Sequence, residues 1–382
     1  MLDFPNNVLD PSIQSSVIEN VNGLNIHFLE SGRSQSNKKG LIVLLHGFPE
    51  LSFSWRKVMP MLANKGYHVV APDQRGFGRT TGWDDSYTSD LSSYHHVNLV
   101  RDIIGLVKGL GYETVESVIG HDSGAGIAGL SALIRPDIYK SVVMMSAPFG
   151  GTPSLPPTGP KPHKFTSPTD EINLELAKLV RPRKHYQHYY RTIEANIDMT
   201  SSAHGMHSFL RGYYHHKSAD WTLNNPYPLS EWSAEELAKM PTYYVMDIDD
   251  DMPTTVAKEM PSQDEIKKCK WLTEQELSFY TQEYSRTGFQ GGLNWYRSSN
   301  SHENKQKLEL FSGIKITVPS LFIAGKQDWG PYQRPGSLEL MEKHACSNMK
   351  GIKFVDTAGH WVQQEQPEQT FNYIESFLTS YI

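Results

Sequence analysis

The chain has 382 residues, of which 38% are hydrophobic and 20% are charged, with a formal net charge of −6 at pH 7. This composition is typical of a water-soluble globular protein with one large core, and the negative charge argues against a nucleic-acid partner. No apolar run reaches the length of a membrane span. The two cysteines, Cys269 and Cys346, are too few for a disulfide framework. Because the polar segment from Met1 to Ser16 lacks the apolar core of a signal peptide, we expect a cytoplasmic protein.

Strands and helices alternate along the first part of the chain. The segment from Val17 to Glu30, centred on Asn22-Gly23, predicts a β-hairpin. A continuous apolar run at Leu41–Leu45 predicts a strand that is buried on both faces. Further strands are predicted at Tyr67–Ala71, Val115–Ile119 and Ser141–Met145. With helices predicted at Trp55–Lys65 and Leu91–Leu110, the alternation indicates a parallel sheet wrapped by helices.

The alternation is interrupted in the middle of the chain. Residues Ala147–Pro162 are rich in proline and glycine and predict a hinge. From about Ser167 to Arg297 the sequence is helical, aromatic and rich in histidine, with no clear alternating strands. The strand–helix pattern then resumes. Its predicted elements are a strand at Pro319–Ala324, a helix near Leu338–Lys343, a strand at Ile352–Val355 and a helix at Pro367–Leu378.

These patterns predict an α/β core with a helical cap domain inserted into it. The core comprises residues 1–150 and 301–382, and the cap comprises residues 151–300. Within the cap, the basic cluster Arg181–Lys184 predicts a solvated surface. The acidic segment Met246–Gln263 predicts a solvated loop.

The most informative motif is Gly120-His121-Asp122-Ser123-Gly124, which lies between a predicted strand and a helix of small residues. Glycines on either side of Asp122 allow a very tight turn that holds this side chain in a strained, exposed position. Serine is the usual residue at the centre of such a turn, whereas this chain has aspartate. Ser123 is the alternative nucleophile, but the bulky His121 would then occupy a position that needs a small residue. Asp122 is therefore the predicted nucleophile.

Two further side chains follow predicted core strands. Asp328 comes directly after one strand, and His360 lies in the loop after the last strand. Because open α/β sheets place their sites at the carboxyl ends of strands, we expect the nucleophile, acid and histidine to meet there, in the chain order of α/β hydrolases. The turn His46–Glu50 follows the first core strand. It predicts an oxyanion hole formed by the backbone N–H groups of Phe48 and Ser123.

An aspartate nucleophile restricts the substrate. A carboxylate attacks an sp³ carbon by displacement and leaves an alkyl ester on the enzyme. Water activated by His360 then attacks the ester carbonyl, while Asp328 orients the imidazole and stabilises its cationic form. The substrate must carry a leaving group on carbon, either an epoxide oxygen or a halide, and this reasoning leaves both open.

The site residues resemble those of soluble epoxide hydrolases of the α/β-hydrolase fold. The resemblance extends from His46 to His360 and includes the cap. It is carried by His46–Glu50, Asp73–Gly78, Gly120–Gly124, the His360 loop, Trp271–Glu274 and Gly288–Arg297. It implies hydrolysis of a small apolar epoxide to a vicinal diol, with no cofactor and no metal.

The resemblance also implies two cap tyrosines that hydrogen-bond the epoxide oxygen. They are Tyr186, in a Tyr-Gln context, and Tyr296. Tyrosine, with a reference pKa of about 10, stays protonated at neutral pH and donates to the developing alkoxide. Tyr189 and Tyr190 lie on the same helical face as Tyr186, so the identity of the first donor stays open.

Two other functions remain as alternatives. A haloalkane or haloacid dehalogenase would use the same aspartate, but several of these enzymes hold the halide with a tryptophan where this chain has Ser123. A non-catalytic ligand receptor built on this fold could keep the same triad. We interpret the histidine pairs of the cap, such as His185 and His188, as hydrogen-bonded or solvated residues and not as a metal site. The oligomeric state stays open between monomer and homodimer.

Overall fold

The computed structural model describes residues 4, 8–34, 39–155 and 168–382. Within this part of the chain, ten strands form an eight-stranded sheet and a separate two-stranded sheet. The strands are β1 (Gln14–Val21), β2 (Leu24–Ser31), β3 (Leu41–Leu45), β4 (His68–Pro72), β5 (Ser117–His121), β6 (Val142–Met145), β7 (Arg183–His185), β8 (Val245–Asp247), β9 (Ser320–Gly325) and β10 (Met349–Val355). The order across the large sheet is β1-β2-β4-β3-β5-β6-β9-β10.

Most of the large sheet is parallel. β1 and β2 form the predicted hairpin, β2 pairs antiparallel with β4, and the neighbours from β4 to β10 are parallel. Strand β3 shows why its sequence is continuously apolar. Ile42 and Leu44 pack into the core on one face of the sheet. Leu41, Val43 and Leu45 pack into the core on the other face. The predicted fold class, a mostly parallel sheet flanked by helices, is confirmed.

Helices cover both faces of the sheet, and ten of the α-helices lie among the described residues between β6 and β9. The α-helices are Val58–Ala63, His96–Gly109, Ser123–Ile134, Pro168–Leu176, Tyr186–Tyr189, Glu194–Thr200, Gly205–His216, Ala234–Leu237, Met252–Ala257, Gln263–Lys268, Glu274–Thr287, Gln290–Ser299, His302–Glu309, Ser337–Leu340, Val362–Glu365 and Pro367–Tyr381. Short 3₁₀ turns are Ser52–Trp55, Leu91–Tyr94 and Gly330–Tyr332, and Met341–Ala345 is a π-helical turn. No helix in the described ranges combines the length and apolar character needed to cross a bilayer.

The predicted single helix Leu91–Leu110 is interrupted. A 3₁₀ turn, Leu91–Tyr94, precedes the helix His96–Gly109, and His95 between them has an extended ψ of 140°. The Asp90 side chain accepts the Ser92 N–H at 2.9 Å and so caps the short turn separately. Local capping therefore divides a segment whose hydrophobic periodicity is continuous.

The segment between β6 and β9 contains paired strands, which the sequence did not predict. β7 and β8 pair antiparallel through three residues each. Arg183, in β7, is only 4% exposed, and its Nε donates to the Val245 carbonyl oxygen at 2.9 Å. The prediction that Arg181–Lys184 forms a solvated surface is therefore wrong for Arg183, because pairing with a distant strand buries it.

The acidic segment Met246–Gln263 is ordered, so the prediction of a solvated loop is wrong. Met246 is buried in β8. Both carboxylate oxygens of Asp247 bind the Arg181 guanidinium, at 2.7 and 2.8 Å. Asp251 caps the helix Met252–Ala257 by accepting the Thr254 N–H. These acidic side chains form an ion pair and a helix cap, and both depend on the fold around them.

The inserted segment packs closely on the core. The Tyr214 hydroxyl donates to the Pro49 carbonyl oxygen at 2.8 Å. Arg79 and Glu283 form a buried ion pair of 2.8 Å. We propose that the cap spans residues 151–300 as the sequence predicts, although the part of the predicted hinge from residue 156 onward lies outside the described residues.

Candidate active site

The site is centred on the tight turn Gly120–Gly124, called the elbow below. β5 ends at His121, the next helix begins at Ser123, and Asp122 between them has φ of 52° and ψ of −121°. This conformation is strained for a residue with a side chain. A Cβ atom on Gly120 would lie 2.1 Å from the Gly124 carbonyl oxygen, so the elbow requires a glycine there. Strain at Asp122 is thus imposed by the fold and presents the carboxylate at the edge of the sheet.

The two carboxylate oxygens of Asp122 face different groups. The Phe48 N–H donates to Oδ1 at 3.1 Å. His360 Nε2 lies 3.4 Å from Oδ2. Burial acts to raise the pKa of Asp122, but the contact with His360 and its charge, with a contribution from Lys217, hold that pKa well below its usual range. Asp122 is therefore an ionised carboxylate with one oxygen facing a backbone donor and the other facing an imidazole.

One of the two backbone groups of the predicted oxyanion hole contacts this carboxylate, and the other belongs to the residue that follows Asp122. Phe48 contributes the N–H described above. Ser123 is the first residue of the helix Ser123–Ile134 and lines the cavity in front of Asp122. The first N–H groups of a helix have no intrahelical acceptor and carry partial positive charge, which suits them to stabilise a developing oxyanion.

His360 and Asp328 form a buried pair behind Asp122. His360 Nδ1 lies 3.1 Å from Asp328 Oδ1, and each side chain is 1% exposed. Gly330 N–H donates to the same oxygen at 2.7 Å. Burial acts to raise the pKa of Asp328, but the charge and hydrogen bond of His360 outweigh it and lower that pKa. With Nδ1 held by the carboxylate, Nε2 of His360 is the nitrogen available to accept a proton.

Glu50 and His121 form a second buried pair, next to the first. The sequence analysis included both residues in motifs but did not predict that they pair. Glu50 Oε2 lies 2.5 Å from His121 Nδ1, and both side chains are fully buried. His121 Nε2 donates to the His360 carbonyl oxygen at 2.7 Å. Burial acts to lower the pKa of His121, but the Glu50 carboxylate outweighs it and raises that pKa. A protonated His121 donates from both nitrogens and fixes the backbone of His360.

The two predicted cap tyrosines lie next to each other in the wall of the cavity. The rings of Tyr186 and Tyr296 are 6.1 Å apart and edge-on, and both residues line the cavity with Asp122. The Tyr186 hydroxyl donates to Gln333 Oε1 at 3.0 Å and accepts from Gln187 Nε2 at 3.1 Å. Burial, followed by the charge of Asp122, raises the pKa of both tyrosines above the usual value. They remain protonated donors over the whole neutral range.

The structure distinguishes Tyr186 from its two neighbours. The Tyr189 hydroxyl donates to Asp198 Oδ2 at 2.9 Å. The Tyr190 hydroxyl donates to the Tyr213 hydroxyl at 3.0 Å. Tyr186 lines the cavity in front of Asp122, whereas Tyr189 and Tyr190 are not among its lining residues. This placement favours Tyr186 as the first donor.

The cavity has a volume of about 420 Å³ and a largely apolar wall. Apart from the elbow and the tyrosines, its wall is made by side chains such as Ile127, Leu130, Phe149, Trp295 and Leu308. This volume suits a small apolar molecule held with its reactive carbon near Asp122.

Two of the cap histidines lie next to carboxylates. His188 pairs with Asp170 at 3.2 Å, and His207 pairs with Glu274 at 3.3 Å. Among the described residues, no three side chains of His, Cys, Asp or Glu are arranged to hold a metal ion.

Replacing Gly47 by alanine is expected to reduce turnover by about 10²-fold, since misplacing a reacting group by about 1 Å has an effect of that size. A Cβ atom on Gly47 would lie 2.4 Å from the Asp122 Cβ and 2.7 Å from its Oδ1, so the nucleophile must move. The comparison variant is Gly126→Ala on the elbow helix, where a Cβ meets no atom within 4 Å but adds a methyl group to the cavity wall, so it reports the effect of a smaller cavity with Asp122 left in place. Steady-state kinetics and thermal unfolding of both variants separate loss of geometry from loss of fold. Unchanged turnover in Gly47→Ala would contradict the placement of Asp122.

Comparisons with known proteins agree with this geometry. The pattern of the α/β-hydrolase fold family matches residues 40–367. The chain is 33% identical over 374 residues to epoxide hydrolase B of Mycobacterium tuberculosis, covering 94% of this chain and 97% of that protein. It is 31% identical over 363 residues to epoxide hydrolase A of the same organism, covering 94% and 95%.

Solved structures show the same relationship. Potato (Solanum tuberosum) epoxide hydrolase I is 27% identical, with a TM-score of 0.73 over 97% of this chain and 100% of that chain. An epoxide hydrolase from an endophytic Streptomyces is 26% identical, with a TM-score of 0.73 over 97% and 96%. The resemblance inferred from the motifs is confirmed. The chain is therefore a member of the α/β-hydrolase fold family and, within that family, of the epoxide hydrolases.

Proposed function

We propose that this protein hydrolyses small apolar epoxides to vicinal diols through a covalent ester on Asp122. One observation carries the proposal. The ionised Asp122 carboxylate lies on the elbow between His360 Nε2, 3.4 Å away, and a cavity that Tyr186 and Tyr296 line with it. A nucleophile, a base and two proton donors are thus collected around one apolar cavity.

In the first step an oxygen of Asp122 attacks an epoxide carbon. The new C–O ester bond forms as the ring C–O bond breaks, and the electron pair of that bond passes to the former ring oxygen. Tyr186 and Tyr296 donate hydrogen bonds to this oxygen and supply its proton, so that no free alkoxide has to leave the site. The product of the step is a 2-hydroxyalkyl ester of Asp122.

In the second step water attacks the carbonyl carbon of the ester. His360 Nε2 accepts a proton from the water, and Asp328 stabilises the imidazolium that results. The oxyanion of the tetrahedral intermediate accepts the N–H groups of Phe48 and Ser123. When the intermediate collapses, the diol oxygen leaves with the proton from His360, and Asp122 retains one oxygen from water. The second proton of that water passes to the tyrosinate left by the first step, which restores the carboxylate of Asp122 and the tyrosine hydroxyl.

A dehalogenase function has less support at the cavity. Several of these enzymes hold the halide with a tryptophan directly after the nucleophile, and Ser123 occupies that position here. Trp295 lines the cavity, but its indole N–H donates to the Arg75 carbonyl oxygen at 2.8 Å. The indole at the wall is therefore already engaged.

A panel of terminal epoxides and haloalkanes with matched carbon skeletons tests the proposed function. We expect diol formation from the epoxides and halide release at least about 10²-fold slower, because the tyrosines are placed for an oxygen leaving group. Gas chromatography of diols and ion chromatography of halide measure the two reactions. Faster turnover of the halides would favour a dehalogenase, and binding without turnover of either class would favour a receptor.

We also propose a cytoplasmic location. Cys269 and Cys346 are both free thiols, as is usual in a reducing compartment.

A further inference from the structure

Glu365 binds the backbone on both sides of His360. It lies at the end of the short helix that follows residues 357–361, called the His360 loop below. Its Oε2 accepts the Gly359 N–H at 2.9 Å, and its Oε1 accepts the Trp361 N–H at 2.9 Å. The two oxygens of one side chain thus hold the residues directly before and after the proposed base.

The same carboxyl group reaches the cap. Its Oε2 also accepts the N–H of Ala219 at 2.8 Å, across a separation of 146 residues in the chain. Ala219 lies three residues beyond the end of the cap helix Gly205–His216. Glu365 therefore accepts three backbone N–H groups, of which two belong to the His360 loop and one belongs to the cap.

The backbone of His360 itself is bound to the same part of the cap. Its N–H donates to the Lys217 carbonyl oxygen at 2.9 Å. A Cβ atom on Gly359 would lie 2.7 Å from that oxygen and 2.6 Å from the Ala219 nitrogen, so the loop and the cap are in direct backbone contact. The N–H groups of Gly359, His360 and Trp361 thus all have acceptors, either on Glu365 or on the cap.

The His360 loop depends on such contacts for its position, because none of its residues lies in a helix or strand. Burial raises the pKa of Glu365 to about 8, and the three N–H groups oppose that shift. A carboxyl group keeps acceptor capacity on its oxygens even when it is protonated, so these hydrogen bonds do not require one protonation state.

We propose that Glu365 is a positioning residue for ester hydrolysis, which holds His360 beside Asp122 by tying the His360 loop to the cap. The proposal rests on the ester mechanism described above. Glu365 contacts none of the reacting atoms and acts through the backbone of His360. Ring opening uses Asp122 and the cap tyrosines and does not use the base. The effect of Glu365 therefore belongs to ester hydrolysis and not to ester formation.

The test is Glu365→Gln, which keeps the length of the side chain. The amide nitrogen that replaces one oxygen is a donor and cannot accept a backbone N–H, so at least one of the three hydrogen bonds is lost in either orientation of the amide. Rapid mixing of the full chain with an epoxide, acid quench and intact-mass spectrometry give the rates of ester formation and ester decay separately.

We expect ester decay in Glu365→Gln to be about 10²-fold slower than in the wild type, since displacing a reacting group by about 1 Å has an effect of that size. Ester formation should keep a rate close to that of the wild type, so the ester should accumulate. The cap should stay docked in the variant, because the buried Arg79–Glu283 ion pair and the hydrogen bond from Tyr214 to Pro49 are unchanged.

Two further variants separate positioning from general stability. Glu365→Asp keeps both oxygens on a side chain that is one methylene shorter, and its ester decay should lie between the rates of the wild type and Glu365→Gln. Gln366→Ala is the matched control in the same segment. The Gln366 Nε2 donates to the Thr357 carbonyl oxygen at 3.2 Å and to its Oγ1 at 2.8 Å. Removing these contacts leaves the three N–H groups bound to Glu365, so both rates should stay close to those of the wild type.

Wild-type ester decay in Glu365→Gln would overturn the proposal. Equal slowing of ester formation and decay, with a lower unfolding temperature, would also overturn it, because Glu365 would then have only a structural role. Equally slow decay in Gln366→Ala would show that any weakening of the loop is sufficient and would count against Glu365 in particular. Failure of the ester mechanism has a different signature, because no ester would then form in the wild type or in any variant.

Discussion

His360→Ala is expected to accumulate a covalent ester on Asp122 when it is mixed with an epoxide. Attack by Asp122 does not use His360, because ring opening depends on the carboxylate and the tyrosine hydroxyls. Hydrolysis of the ester requires the base that lies 3.4 Å from Asp122 Oδ2 in the wild type. Intact-mass spectrometry should show the protein plus one epoxide, and turnover should decrease by about 10²–10⁴-fold, the usual contribution of a general base.

The control for this experiment is Asp122→Ala, which should show neither adduct nor turnover because it lacks the attacking oxygen. Peptide mapping of the His360→Ala adduct should place the added mass on the peptide that contains Asp122. A single turnover of the wild type in ¹⁸O-labelled water should put the label into Asp122 and not into the first diol released. Label in the first diol would mean direct attack of water on the epoxide and would contradict the ester mechanism.

The double variant Tyr186→Phe/Tyr296→Phe is expected to slow ester formation by about 10²–10⁴-fold, with each single variant losing a part of this. Phenylalanine keeps the ring but removes the proton that the former ring oxygen needs as the C–O bond breaks. The rings pack against one another at 6.1 Å, so the fold should be retained. Single-turnover measurement of ester formation reports this step separately from hydrolysis.

Tyr189→Phe is the matched control, because its hydroxyl binds Asp198 and not the cavity. It should form the ester at a rate close to that of the wild type. The pH dependence provides a second check. Since burial raises the pKa of Tyr186 and Tyr296, ester formation should not decline in the alkaline range until the pH exceeds the ordinary tyrosine value of about 10. A double variant with near-wild-type ester formation would remove both tyrosines from the mechanism.

The elbow and the buried strands could be predicted because their constraints are local in the sequence. The glycines around Asp122 are needed by the turn itself, as the 2.1 Å approach of a Cβ on Gly120 to the Gly124 carbonyl oxygen illustrates. The continuously apolar β3 reflects burial on both faces of a parallel sheet. Such constraints act within a few residues or within one strand, so they are visible in the order of the amino acids. The roles of Asp328, His360 and the tyrosines were predicted from chain order and family resemblance.

Other features of the protein depend on residues that are far apart in the chain and meet only in the folded structure. Glu50 and His121 are 71 residues apart and form a buried pair behind the nucleophile. Arg183 is buried only because β7 pairs with β8. Lys217 is enclosed by rings from three separate parts of the chain. Short-range patterns were enough to predict the elbow, the parallel sheet and the chemistry of an aspartate nucleophile. Burial and charge at these other positions come from long-range contacts, which leave no periodic or short-range pattern in the sequence.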